Sequence, residues 1–390
     1  MSQYLLIERI QVQNANAVAG FTWGFPSISH FLGFTHNLTR KLKNTSNFNN
    51  ITLNGCAVIA HEQNILSYKE SSTNRFTQYK TTHYLDLTFV KGRLRDPAIN
   101  EEAKMNMKVS LLIPIDGYIG GAYEQNQLIE FIKKCCLTQR LAGGTILNIN
   151  AIELVDLSQK ENLKFIKNKL LPGFVLQDRS AYLKEHLLKL KESNSNVELL
   201  DAWFDFITLK QAARPVCDLI DKYFASQANN SEFFMQLNEI WLNHKEHPYN
   251  AKNIPIELTD FFSNNVENLP KNIVNQWEDY LAPTDKTTAE WEYIRKPNTG
   301  FLVPIMTGYK AITKVFTAGE IEGARDIETD IAFVEAVHSV GEWQSVHRLK
   351  ESENWYGSVW NYTYEKGGWY LCKQDTVKAE QSLTYYDPYQ

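Results

Sequence analysis

Residues 4–12 read YLLIERIQV, near the start of the N-terminal half. Its apolar and branched side chains predict a β-strand. After the polar loop QNANAVAG, residues 26–43 read PSISHFLGFTHNLTRKLK and predict a helix that begins at Pro26 and ends in a cationic turn, which suits the helix dipole. The apolar positions of this helix fall on one stripe: Ile28, Phe31, Leu32, Leu38 and Leu42.

The next segments extend the same pattern. Core strands are predicted at 53–61, 108–115 and 145–155, and a helix at 124–141. Residues 65–103, rich in Arg, Lys and Tyr, predict a long β-hairpin or arm. The order β-α-β-(arm)-β-α-β predicts an α+β fold, with a ferredoxin-like (RNA-recognition-like) core, a protruding β-hairpin arm and a helical insertion.

Three domains are expected along the chain. Residues 1–192 are expected to form the ferredoxin-like core, including the arm at 65–103. Residues 193–295 form an acidic helical insertion, in which the spacing of prolines predicts several short helices. Residues 296–390 are expected to pack back on the core as strands, with an amphipathic helix at DIAFVEAVHSVGEW (330–343).

Charge is distributed unevenly, although the net charge is only −5. Residues 1–95 carry ten Lys and Arg against four acids, and residues 231–292 carry eleven acids against four Lys. Because local charge sets the field near a ligand, the N-terminal part is the expected site for nucleic acid. Two ordinary solvated faces of opposite sign remain the alternative.

Several function classes lack their sequence signatures. There is no phosphate-binding loop, no HExxH, no cysteine quartet and no nucleophile elbow. The five cysteines are expected to be reduced thiols in a cytoplasmic protein. No signal peptide or membrane span is predicted, and neither a metal nor another cofactor is expected.

The binding candidates fall into three groups. Asn14 and Asn16 follow the first strand, where side-chain amides could read base edges or simply cap the strand and form a turn. Arginines and lysines of the arm would neutralise phosphates beside stacking aromatics, unless the arm is an ordinary solvated hairpin. Arg140 precedes Gly143 and Gly144, whose backbone N–H groups can approach a phosphate, although a plain helix C-cap explains the glycines equally well. The cationic candidates are Arg40, Arg75, Lys80, Arg93, Arg95 and Arg140.

A set of short motifs resembles one known family. The motifs are NANA at 14–17, TWGFPS at 22–27, FLGFTH at 31–36, RLAGGTI at 140–146, LLPGF at 170–174, GFLVPI at 300–305, GY at 308–309 and GEW at 341–343. In this order they are similar to the family of the second Csy protein, the Cas-five-type subunit of the type I-F CRISPR surveillance complex. The resemblance spans roughly residues 4–190 and 297–372, and the acidic region between them departs from it.

The resemblance implies a non-catalytic structural subunit. Such a subunit grips the 5′ handle of the CRISPR RNA, pairs with the large subunit and caps the backbone subunits, so that target DNA is met indirectly. The arm would be the thumb, and residues 140–144 would be the family's glycine-rich loop. The acidic region is expected to point away from the RNA.

Two other functions stay open at this point. One is a metal-independent endoribonuclease that trims CRISPR repeat RNA, with a base among His30, His36, His61 and His83. The other is a protein–protein adaptor whose RNA contacts are incidental.

Overall fold

The computed structural model describes residues 3–20, 22–70, 73–76, 79–81, 88–90, 93–95, 100–208, 211–229, 231–246, 254–284, 286–293, 300–324 and 327–374, with the backbone alone for the strands between 68 and 102. Two compact units are present. The larger comprises Met1–Ile207 and Thr299–Glu380, and the smaller includes Thr208–Asn298. The predicted boundaries at residues 192 and 296 lie near these limits and stay a prediction.

One antiparallel sheet of twelve strands organises the larger unit. Its strands are β1 (Gln3–Asn16), β4 (Thr52–Leu53), β5 (Ala57–Ile65), β12 (Lys104–Asp116), β13 (Arg140–Leu141), β14 (Gly144–Asn148), β15 (Ala151–Asp156), β16 (Phe174–Asp178), β19 (Phe301–Ala311), β20 (Val334–Ser345), β21 (Trp360–Glu365) and β22 (Trp369–Gln374). Their order is β13-β14-β1-β12-β5-β16-β20-β19-β22-β21, with β15 also paired to β1 and β4 to β12. A separate hairpin joins β2 (Val18–Ala19) to β3 (Thr22–Trp23).

Strand β1 is covered on both faces, which explains its run of four apolar residues. Leu5 and Ile7 join a cluster with residues of α1 (Ile28–Lys43) and α2 (Ala122–Leu137). Tyr4 and Leu6 point the other way, into a cluster with α3 (Lys160–Leu170) and α10 (Ser352–Tyr356). The predicted stripe of α1 is confirmed, since all five of its apolar positions are buried.

The C-terminal strands extend the sheet. Residues 330–343 do not form the predicted helix, because Val334–Ser345 is strand β20, paired with β16 on one side and β19 on the other. Val340 and Trp343 pack into different clusters, so both faces of the strand are covered. Cover on both faces removes the strict alternation that identifies a strand in sequence, and the residual pattern imitates a helix.

Two further helices, α4 (Ser180–Ser193) and α5 (Leu199–Ile207), pack on β20 through Leu183, Trp203 and Phe206. Arg179, just before α4, donates from Nε to the buried carboxylate of Glu342 over 2.6 Å. A charge buried in this way is tolerated because a cation pairs with it.

The smaller unit has its own aromatic core. It contains the helices α6 (Asp218–Ala228), α7 (Glu232–Glu246), α8 (Ile256–Asn265) and α9 (Lys271–Leu281), and a hairpin of β17 (Gln211–Pro215) and β18 (Ala289–Tyr293). The rings of Phe262 and Trp277 stack at 4.1 Å between centroids. The expected short helices are present, and Pro255 and Pro270 immediately precede two of them.

The described backbone of the arm consists of short antiparallel pairs. Its strands are β6 (Ser67–Glu70), β7 (Thr73–Phe76), β8 (Tyr79–Thr81), β9 (Thr88–Val90), β10 (Arg93–Arg95) and β11 (Asn100–Glu102). β6 pairs with β7, β8 with β11 and β9 with β10. The segment is therefore β-structured, as the sequence predicts, and it leaves the sheet from β5 and returns into β12.

Trp360 offers a test of how the C-terminal strands are held. It is fully buried, its Nε1–H donates to the Leu176 carbonyl over 3.1 Å, and its backbone pairs with Cys56. Trp360→Ala is expected to lower the free energy of unfolding of the larger unit by about 3–5 kcal/mol, measured by chemical denaturation. Trp369→Ala, at a half-exposed ring, is expected to lower it by less than about 1 kcal/mol. Equal losses would contradict this role of Trp360.

Candidate nucleic-acid interface

The glycine-rich loop is the turn of a β-hairpin. Arg140 pairs with Thr145 and Leu141 with Gly144 across β13 and β14. The two residues between them, Ala142 and Gly143, both have left-handed backbones, with φ of 50° and 75°. A two-residue hairpin turn of this kind needs positive φ at both positions, and only glycine adopts it without cost.

This arrangement corrects the predicted helix boundary. Helix α2 ends at Leu137, so residues 140–144 are not its last turn and C-cap. Gly143 is required by the hairpin turn, and Gly144 by the close packing of β14 on β1.

The hairpin is fixed to β1 at the end of that strand. The Asn16 N–H donates to the Ala142 carbonyl over 2.8 Å. A Cβ on Gly144 would lie 2.7 Å from the Gln13 carbonyl oxygen and from Val12 Cγ1, so this position has no room for a side chain. The predicted residues Asn16, Gly143 and Gly144 therefore lie together.

Asn14 and Asn16 have different environments. Asn14 sits in a bulge of β1 with φ of 57°, and its backbone N–H donates to Asn106 Oδ1 over 3.1 Å, while its side chain is exposed. Asn16 uses both side-chain polar atoms on the main chain of Val18, at 2.9 and 3.0 Å. Asn14 is thus presented to solvent, whereas the amide of Asn16 forms a local turn.

Two of the predicted cations, Arg40 and Arg140, are exposed. The guanidinium groups of Arg40 and Arg140 make no hydrogen bond or ion pair with any residue that the structure describes. α1, which carries Arg40, is joined to the residues before Arg140, because Asn37 Nδ2 donates to Gln139 Oε1 over 2.6 Å.

Three further exposed lysines lie on α1 and α2 and were not among the candidates from the sequence: Lys43, Lys133 and Lys134. The signal was available, since each is next to buried positions on a predicted amphipathic helix. We call Arg40, Lys43, Lys133, Lys134 and Arg140 the basic surface.

The described part of the structure shows no contact between the predicted arm residues and this surface. Arg75 lies in β7, Lys80 in β8, and Arg93 and Arg95 in β10. Their side chains lie outside the described part of the chain, so their roles stay predictions.

His61, a candidate base of the endoribonuclease alternative, belongs to an internal network. Its Nδ1 bonds the Pro172 carbonyl at 2.8 Å and its Nε2 bonds the buried Ser110 hydroxyl at 2.7 Å. The carbonyl can only accept, so Nδ1 carries the proton and Nε2 accepts from Ser110. Ser110 in turn accepts from the Arg9 N–H over 2.8 Å. Burial lowers the pKa of His61, which fits this neutral form.

The other candidate histidines differ. The His30 Nδ1 bonds the Ser27 hydroxyl at 2.7 Å, and burial lowers the pKa of His30. His36 is exposed, and His83 lies outside the described residues. No three His, Cys, Asp or Glu side chains in the described ranges are placed to hold one metal ion.

Two other findings concern expectations from the sequence. All five cysteines are free and buried. None of the described helices is long and apolar enough to cross a membrane.

Three of the sequence motifs meet at one cavity of about 120 Å³. Trp23, Phe25, Ile305 and Trp343, from the motifs at 22–27, 300–305 and 341–343, line it. Phe25 contacts Trp343 edge to face at 4.8 Å between ring centroids. These distant motifs therefore lie together in the folded chain.

A family model described as CRISPR-associated protein (Cas_Csy2) matches residues 5–235 and 270–372. The chain belongs to the Csy2 family of CRISPR-associated proteins. It is 28% identical over 360 residues to the CRISPR-associated protein Csy2 of Pseudomonas aeruginosa (strain UCBPP-PA14), which covers 88% of each chain. The resemblance inferred from the motifs is confirmed. The chain is therefore a subunit of the type I-F CRISPR complex.

The family match also extends further than the motifs indicated. It includes residues 191–235 and 270–296, which belong to the region that was expected to depart from the family. The unmatched part is 236–269, which contains most of α7 and all of α8. The departure is thus confined to the middle of the smaller unit.

Gly144 tests the docking of the hairpin. Gly144→Ala is expected to cost about 1–3 kcal/mol, because the new Cβ overlaps backbone of β1, and to speed hydrogen exchange at the Asn16 amide. Gly143→Asn is the matched control, since its side chain would enter open space and asparagine tolerates positive φ. Unchanged exchange at Asn16 in Gly144→Ala would contradict the packing described.

His61 tests the internal network through pH. Its pKa is lowered in the folded chain, so the unfolded chain binds the additional proton and stability is lost as the pH falls below about 6.5. His61→Gln is expected to make the fall in melting temperature between about pH 7 and pH 5 shallower. His36→Gln, at an exposed position, is the control. Identical profiles for His61→Gln and the unaltered chain would refute this account.

Proposed function

We propose that this chain is a non-catalytic structural subunit of the type I-F CRISPR surveillance complex, which binds the 5′ handle of the CRISPR RNA. It would pair with the large subunit, cap the backbone subunits and act in the cytoplasm, meeting target DNA only through the assembled complex. One observation carries the RNA-binding part: the hairpin bearing Arg140 is fixed beside Asn14 and Asn16 by the bond from the Asn16 N–H to the Ala142 carbonyl.

The chemistry of the basic surface supports this proposal. Cations without internal partners are free to neutralise phosphates, and contacts to phosphates position an RNA without reading its sequence. Asn14, with its exposed amide in a bulge, is the group suited to a base edge. The Arg140 hairpin and the basic surface would thus hold the backbone of the handle.

The topology supports the proposed ferredoxin-like core. Strands β15, β1, β12 and β5 are neighbours in that order, and they alternate in the chain with α1 and α2 as β-α-β-β-α-β. Both helices contribute to one apolar cluster. This is the arrangement that many RNA-recognition domains use.

The endoribonuclease alternative is less well supported by the geometry at His61. Both ring nitrogens are used internally, and the neighbouring hydroxyl of Ser110 is fully buried. Purified protein incubated with repeat RNA in a chelator gives the direct test. Discrete cleavage that disappears in His36→Gln or His61→Gln would replace the structural proposal with the enzymatic one.

Co-purification tests the proposed role. The chain is expressed with and without the large subunit and a CRISPR array, and retained RNA is sequenced. We expect a stable complex whose RNA is protected at its 5′ handle. Absence of both RNA and protein partners would overturn the proposal, whereas a partner retained equally well without RNA would favour the adaptor.

Arg140 and Arg40 provide the residue-level prediction. Arg140→Ala is expected to weaken binding of a synthetic 5′-handle RNA, and each lost phosphate contact should flatten the plot of log affinity against log salt by about 0.7. The Arg40→Ala and Arg140→Ala double variant should flatten it about twice as much. Lys271→Ala, an exposed lysine of the smaller unit, is the matched control. An unchanged slope in the double variant would remove both residues from the interface.

A further inference from the structure

A small cavity lies in the larger unit beside the hairpin of β2 and β3. Its volume is about 120 Å³. This is well below the ~300–1,000 Å³ of a site for a drug-sized ligand, so the cavity has room for about one planar ring. The rings of Trp23, Phe25 and Trp343 line it, together with Pro26 and Pro304. We call this space the aromatic cavity.

The aromatic rings of the cavity are held in place by the core. Phe25 stacks on Phe31 at 5.4 Å between centroids and meets Trp343 edge to face at 4.8 Å. Trp343 is buried, whereas Trp23 and Phe25 are only partly buried, at the border of the main apolar cluster. Because the rings are already ordered, little side-chain freedom is lost when a further ring packs against them.

One polar side chain borders the aromatic cavity. Among the lining residues, all of which the structure describes, Gln63 is the one that carries an amide, hydroxyl or charged group. It is exposed, and its amide makes no hydrogen bond with any described residue. An amide offers a donor and an acceptor side by side, which matches the edge of a nucleobase. Aromatic faces with such an amide beside them suit an unpaired base better than an aliphatic side chain.

The aromatic cavity is linked to the Arg140 hairpin by two backbone hydrogen bonds. The Asn16 N–H donates to the Ala142 carbonyl, and the carbonyl of the next residue, Ala17, accepts from the Gly24 N–H, each over 2.8 Å. Gly24 lines the cavity. The candidate phosphate contacts and the cavity are therefore joined through consecutive residues of the chain.

The sheet places the cavity at the same end of β1 as the candidate interface. Ala15 is opposite Met105 on β12, and Met105 is opposite Ile65 on β5, which lines the cavity. All three side chains belong to one apolar cluster and so share a face of the sheet, which Gln63 shares because it is two residues from Ile65. Ala15 and Ile65 are two strand spacings apart, about 10 Å. An RNA held at the hairpin therefore reaches the cavity within a few nucleotides.

We infer that the aromatic cavity receives one unpaired nucleobase of the CRISPR RNA handle, which stacks on the rings while the Gln63 amide contacts its edge. The inference rests on the proposed function and deepens it, because the chain then reads one position of the RNA besides holding its phosphates. Stacking supplies affinity for any base, since every base has an aromatic face, and Gln63 supplies a preference among bases.

A scan of the handle with abasic nucleotides tests this inference. The full chain is titrated with synthetic 5′-handle RNAs, each of which lacks the base at one position and keeps every phosphate. We expect a position at which loss of the base weakens binding by about 5- to 150-fold, the range that corresponds to one stacked base. 2-Aminopurine placed at that position is expected to lose emission on binding, because stacking on aromatic rings quenches it.

Two variants connect that position to the cavity. Val303→Phe adds a ring to the lining, so it should bind the intact RNA no better than the abasic one and should restore the emission of 2-aminopurine. Val334→Phe is the matched control, since Val334 is 40% exposed on β20 and does not line the cavity. Gln63→Ala should keep the abasic effect and reduce the difference in affinity between the natural base and an exchanged base.

The choice of variants keeps the result independent of misfolding. The melting temperature of Val303→Phe should match that of the unaltered chain to within a few degrees. If Val303→Phe does not fold, Gln63→Ala decides, because its side chain is exposed and its replacement leaves the core intact. Unchanged discrimination among bases at every position of the handle in Gln63→Ala would then overturn the inference.

The outcomes separate this inference from the proposed function. If the unaltered chain binds no handle RNA, the proposed function fails and the inference fails with it. If the chain binds the handle but the abasic effects are the same in a folded Val303→Phe, the inference alone is overturned. Loss of a protein subunit from Val303→Phe on co-purification, with its affinity for RNA unchanged, would also overturn it and would assign the cavity to a side chain of that subunit.

Discussion

The larger unit depends on the hydrogen bonding of β1 along both of its edges. One edge pairs with β12 over nearly its whole length, and the other pairs first with β15 and then with β14. Because every backbone group of a buried strand needs a partner, these four strands have little freedom to move separately. The bulges at Arg9 and Asn14 are the two places where the pairing with β12 shifts.

Each bulge in β1 lies at a structural feature: the first at an internal hydrogen-bond network, and the second at the candidate interface. At the first, the Arg9 guanidinium donates to the Leu171 carbonyl over 2.8 Å, and its N–H enters the network of Ser110 and His61. At the second, Asn14 faces solvent and the Arg140 hairpin attaches two residues further on. Bulges redirect side chains locally without ending the strand, so one strand serves both the interior and the candidate interface.

The sequence was most informative where one local rule decides the structure. The apolar stripe of α1, the strand at 4–12 and the short helices after Pro255 and Pro270 follow from periodicity and backbone chemistry alone. Residues 330–343 were misread because cover on both faces of β20 depends on packing partners that are distant in sequence. The glycines at 143 and 144 suggested a breaker, but whether they end a helix or turn a hairpin depends on the docking to β1, which no local pattern contains.

The hairpin of β17 and β18 gives the smaller unit a modular character. Gln211 and Tyr293 are register partners, so the chain enters and leaves this unit at points about 5 Å apart. Whatever lies between two such points can lengthen, shorten or be exchanged without stretching the chain on either side. Residues 236–269, which the family model does not match, lie wholly within this segment. The smaller unit is therefore the part of the molecule where a lineage can acquire new surface without disturbing the large sheet.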